Sequence, residues 1–132
     1  MRNRPNAADL LAIARETFLS ELMPHVPDGD RYTALMVANA MANAERESAA
    51  GDTPLRAELE RLRVIYPRAP ASDDPVAVQL DRFNRQLAVD LRKGAHEADR
   101  ARREQVRTHL VLTAIERVRE SNPKYLQREG LE

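Results

Sequence analysis

Asn39 and Asn43 stand one helical turn apart in the most apolar stretch of the sequence, residues 34–44, and Glu45, Arg46 and Glu47 follow at once. An amide taken out of water costs free energy unless it is hydrogen-bonded. Each therefore needs a partner, and that partner is either a neighbouring helix or a bound polar ligand. A pocket of Asn39, Asn43, Arg46 and Glu47 would make the chain a small-ligand-binding or enzymatic helical domain. The plainer reading, which we prefer, is that the amides join helices internally and that Glu-Arg-Glu is a solvated ion-pair strip at a helix end.

The three histidines, His25, His96 and His109, are scattered, and none has another at the spacing that places two imidazoles on one helical face. His96, Glu97 and Asp99 are ligand-type side chains, but positions i, i+1 and i+3 do not converge unaided. No metal site is expected, and His109, beside apolar positions, reads as a partly buried packing residue. Four glycines are too few for a phosphate-cradling fingerprint, and no serine lies in a nucleophile-elbow context. Neither a cofactor nor a catalytic residue is expected.

Residues 92–107 carry six basic side chains, including Arg100, Arg102, Arg103 and Arg107, against three acidic ones. This could be drawn as a helix-turn-helix with a basic second helix. The whole chain, however, has 21 basic and 21 acidic residues and a formal net charge of zero, which removes the general electrostatic attraction that nucleic-acid binding draws on. An acidic protein surface suits the patch equally well, with Arg100, Arg103 and Arg107 as the candidate contacts.

The elements that must position these groups are helices. Aromatic residues make up 4% of the 132 residues, so the core must be built from Ala, Leu, Val, Ile and Met, and strand formers are scarce. There is no cysteine, which removes disulfides and thiol chemistry and is compatible with a reducing compartment. The opening Met1-Arg2-Asn3-Arg4-Pro5 lacks the apolar core of a signal peptide. No apolar run is long enough to cross a membrane, and a cytoplasmic location is expected.

Asn6, with Asp9 three residues on, predicts the start of a first helix that runs to Pro24. A turn over residues 24–29 leads to a second helix over about 30–50 that stops at Gly51. Because it is apolar almost all round between residues 34 and 44, it is expected at the centre of the bundle. Thr53-Pro54 opens a short third helix, expected across one end, which stops by Pro67. After an exposed loop over residues 68–74, where the composition shifts to Pro, Ala, Ser and Asp, Asp74-Pro75 opens a fourth helix closed by Gly94, with Asp81, Arg82, Arg85, Asp90 and Arg92 on its outer face. A long fifth helix begins between His96 and Asp99 and ends at Asn122-Pro123. The expectation is a single all-α domain over residues 1–132, a bundle of about five helices with helix two central.

Three segments carry a resemblance: Arg4-Pro5-Asn6-Ala7-Ala8-Asp9-Leu10-Leu11, residues 32–47 ending in Ala44-Glu45-Arg46-Glu47, and Asn122-Pro123-Lys124-Tyr125-Leu126. Together they resemble a bacterial family of short all-helical proteins of unknown function. Members of that family are often encoded beside phosphotransferase-fold kinases and acyl-CoA dehydrogenases. The resemblance implies a non-catalytic accessory or interaction protein near acyl-CoA metabolism, with a kinase-like or dehydrogenase partner. It brings no catalytic residues. Homodimerisation is a further expectation, because so many apolar helical faces in a short chain need covering.

Overall fold

The computed structural model describes residues 5–131. Of the opening Met1-Arg2-Asn3-Arg4-Pro5 read above as lacking a signal-peptide core, residues 1–4 lie outside them. The described residues are all-helical, with six α-helices and no strand: α1 Ala7–Thr17, α2 Arg31–Ala50, α3 Thr53–Ile65, α4 Val76–Arg92, α5 Arg100–Ser121 and α6 Pro123–Glu129. The chain divides into two compact units, Met1–Gly51 and Asp52–Glu132.

In the first unit, α1 begins with a reciprocal cap. The Asp9 amide donates to Asn6 Oδ1 at 2.9 Å, and the Asn6 amide donates to Asp9 Oδ2 at 3.0 Å. The helical path continues beyond α1 through a π-helical turn at Phe18–Leu22 and a 3₁₀ turn at Met23–His25, where Pro24 finally interrupts it. α2 packs on α1 through Ala34, Ala38 and Ala42, a row spaced by four residues that puts small side chains at the contact. Arg15 of α1 reaches across and donates from Nε to the Ala38 carbonyl at 3.2 Å. Gly51, at φ +56°, ends α2 in a conformation that side-chain-bearing residues rarely adopt.

The cluster of buried leucine, isoleucine and valine side chains lies in the second unit. Leu59, Leu62 and Ile65 of α3, Leu80 and Leu87 of α4, and Val106 of α5 form one buried cluster, and Leu62 is wholly inaccessible. Each such side chain removed from water contributes about 1.5–3 kcal/mol. This corrects two expectations: helix two is not the centre of the core, and helix three does not merely lie across an end. α2 buries only alanines and turns Leu35, Met36 and Val37 to solvent. α3 packs against both α4 and α5, because its Leu and Ile residues form one face broad enough to meet two neighbours.

Two local details also differ from the sequence reading. Asp74 does not cap α4; its carboxylate instead accepts from the Ser72 hydroxyl at 2.6 Å and pairs with Arg82 at 2.5 Å, while Pro75 takes the capping position. The chain also does not end its helices at Asn122-Pro123. Pro123 starts α6, where its missing N–H costs nothing, and Leu126 is buried.

Candidate functional site

The sequence-predicted ligand residues lie on a surface. Asn39 and Asn43 are exposed, on the outward stripe of α2 that also carries Tyr32 and Met36 at helical spacing. The apolar run around them buries Ala34, Ala38 and Ala42 and leaves both amides exposed, so neither needs a buried partner. Arg46, half-buried, donates from Nη2 to Asn43 Oδ1 at 2.5 Å. Glu47 is exposed, and the main clefts described are lined by other side chains.

The structure does bring Arg100, Arg103 and Arg107 together on the outer face of α5. All three are exposed. Arg103 donates weakly to the Glu97 carbonyl at 3.4 Å, Arg107 pairs with Glu104 at 3.2 Å in an exposed contact worth little, and Arg100 has no partner among the described residues. Asp99 holds the start of this helix by accepting from the amides of Ala101 and Arg102 at 2.9 and 3.2 Å. Continuing the same face by the helical repeat leads to Leu110 and Val111, also exposed, and then Ala114. The opposite face of α5 carries Arg102, Val106, His109, Thr113 and Glu116 toward the rest of the unit.

Two polar clusters stand on that inner side. In the first, Arg61 of α3 forks onto Glu116 with Nη1 to Oε1 at 3.2 Å and Nη2 to Oε2 at 2.8 Å, and Nη2 also donates to Thr113 Oγ1 at 3.3 Å. His109 is buried beside it, its Nδ1 without a hydrogen-bond partner. Glu58, also buried, accepts from Asn84 Nδ2 at 2.9 Å. Burial, and then the Arg61 charge, hold the His109 imidazole below its ordinary 6.5, with Glu58 and Glu116 acting in the opposite sense.

A stability prediction follows from His109. Its folded-state pKa is depressed, so the unfolded chain binds more protons, and the stability contribution is complete above the ordinary imidazole value and is lost as pH falls below it. The melting temperature of the wild type is expected to fall between roughly pH 7.5 and about pH 5.5, and His109→Gln is expected to flatten that slope. Equal slopes in the two proteins would remove His109 as the cause.

The second cluster was missed by sequence reasoning. Tyr66, which caps the end of α3, donates its hydroxyl to Asp90 Oδ2 at 2.8 Å, and Gln86 donates Nε2 to Asp90 Oδ1 at 2.8 Å. The His96 ring stands edge-on to Tyr66 with centroids 6.1 Å apart; its Nε2 is buried 3.8 Å from Asp90 Oδ2, beyond hydrogen-bond reach. Gly94, at φ +66°, makes the turn that returns His96 toward α4. Burial first, then the Asp90 hydrogen bond and charge, push the Tyr66 phenol well above its ordinary value. Tyr66 is thereby held as a donor, and Asp90 is a satisfied acceptor that orients it. Asp90, expected with Asp81, Arg82, Arg85 and Arg92 on the outer face of its helix, is thus turned toward Tyr66 instead. The available signal was Gly94, whose position after α4 allows the following histidine to fold back.

These clusters tie helix to helix, and the class they define is an all-α protein whose buried polar groups position its helices. Residues 24–125 match the family DUF6285, a domain of unknown function, and the chain belongs to that family. No curated protein and no solved structure matches it. Among the described residues no helix is long and apolar enough to cross a membrane.

Proposed function

We propose that this chain is a non-catalytic interaction protein that engages its partner through the outer face of α5. The observation that carries this reading is the composition of that face: Arg100, Arg103 and Arg107 at one end, Leu110 and Val111 at the other, all exposed on one side of a single helix. Such a stripe fits an acidic, amphipathic helical surface. Apolar contact would supply affinity, while the arginines would set orientation and association rate. The inner polar clusters support the same reading, since Glu58, Asp90 and Glu116 already have protein donors.

The family resemblance favours a kinase-fold or acyl-CoA dehydrogenase partner, which would make the chain an accessory to acyl-CoA metabolism. Affinity capture of the tagged chain from its native host, with mass spectrometry, tests this against Arg100→Glu/Arg103→Glu/Arg107→Glu. One of those proteins is expected with the wild type, with recovery reduced about tenfold or more by the three charge reversals. Equal recovery with both chains would sink the assignment of the surface. Recovery of the chain alone, with a dimer mass in solution, would replace the reading by self-association.

A further inference from the structure

A second surface of the Asp52–Glu132 unit has a different chemistry. A cleft of about 550 Å³ opens between the end of α3, the middle of α4 and the start of α5. One wall is aromatic: Tyr66 and Phe83 stack with centroids 5.8 Å apart and planes 22° from parallel. Arg68, Arg82 and Arg102 stand around it, and no acidic side chain lines it.

The three guanidiniums are not equivalent. Arg82 is neutralised by Asp74. Arg102 donates from Nη1 to the carbonyls of Val64, at 3.2 Å, and Ile65, closing the end of α3. Those acceptors are neutral, so its charge is held in place without being cancelled. Arg68 is exposed and has no partner among the described residues. The Tyr66 hydroxyl is committed to Asp90, so Tyr66 offers the cleft its ring, and Gln86, whose amide nitrogen is committed to the same carboxylate, retains a carbonyl acceptor.

We propose that this cleft binds a small amphipathic oxyanion: a flat apolar or aromatic body lying against Tyr66 and Phe83, with a phosphate or carboxylate held by Arg68 and Arg102. The volume is within the usual range for small-ligand sites, and the lining joins apolar walls to a few directed polar groups, as such sites do. A planar guanidinium matches an oxyanion through paired hydrogen bonds. The helix arrangement keeps this site separate from the proposed partner surface, because Arg102 is on the inner face of α5 and Arg100, Arg103 and Arg107 are on the outer one.

The test is titration of the ¹⁵N-labelled full chain with phenyl phosphate, with inorganic phosphate, benzyl alcohol and benzylamine as controls. Phenyl phosphate is expected to give saturable amide shifts centred on Tyr66, Ala69 and Phe83, with a dissociation constant of about millimolar order, as a ligand of this size allows. The controls should bind at least about tenfold more weakly, a difference of roughly 1.4 kcal/mol. Arg68→Glu, a change at an exposed position, should abolish saturation while leaving the remaining spectrum intact. Phe83→Leu should weaken phenyl phosphate and leave inorganic phosphate unchanged. Absence of saturable shifts, equal binding of benzyl alcohol or inorganic phosphate, or an unaffected Arg68→Glu variant would each overturn the proposal.

Discussion

Leu62→Ala is expected to lower the unfolding free energy by about 3 kcal/mol. Leu62 is wholly buried and belongs to the cluster that α3 forms with α4 and α5. Its removal forfeits the transfer free energy of the missing carbons and leaves a cavity in the cluster that α3 shares with α4 and α5, which the packed neighbours can close only in part. The measurement is chemical denaturation followed by circular dichroism, with Leu35→Ala as the contrast. Leu35 lies on α2 and is 45% exposed, so its truncation should cost under about 1 kcal/mol. Had helix two been the core helix, the order of the two costs would be reversed. Similar losses at the two positions would therefore contradict the placement of the core.

The second large effect is expected at Arg61. Truncation to alanine removes the fork onto Glu116 and the bond to Thr113 together, and leaves a partly buried carboxylate without its counter-charge. The two side chains remain 20% and 23% exposed, so water screens part of the pair, and the loss should be about 2 kcal/mol rather than the 3–5 typical of deeply buried pairs. A double-mutant cycle with Glu116→Gln separates the pair from the packing of the arginine stem. Coupling of about 1 kcal/mol or more is expected, since the contact is bidentate and shared with Thr113. Additive losses would mean that Arg61 matters through its apolar stem alone.

The all-helical class, most helix boundaries and the Asn6 cap were legible in the sequence because they depend on local signals: proline and glycine punctuation, capping side chains and the recurrence of apolar residues. The location of the core was not. Residues 34–44 look more apolar than α3, but hydrophobicity counted by residue overlooks size. Ala34, Ala38 and Ala42 can line a close helix contact while contributing little buried area, whereas Leu59, Leu62 and Ile65 contribute much more each. The same confusion made Asn39 and Asn43 look like buried amides.

The candidate partner surface was half legible. The basic cluster at residues 92–107 is visible as charge density, yet it divides between two faces once the helix is built: Arg102 turns inward to the end of α3, and Arg100, Arg103 and Arg107 turn outward. The exposure of Leu110 and Val111 could not be read, because apolar residues at helical spacing are assigned to a core by default. Tyr66, Asp90 and His96 come from α3, α4 and the turn after α4, and their convergence depends on tertiary packing, which spacing along the chain does not encode.

The most direct test of the interaction reading is site-specific photocrosslinking in the native host. A benzophenone amino acid would be placed at Val111 on the outer face of α5 and, as a control, at Val89, an exposed position on α4. The account predicts a discrete adduct between the Val111 variant and a different protein, lost when Arg100, Arg103 and Arg107 are reversed in charge, with no such adduct from Val89. Adducts of equal yield from both positions, or none from Val111, would contradict it.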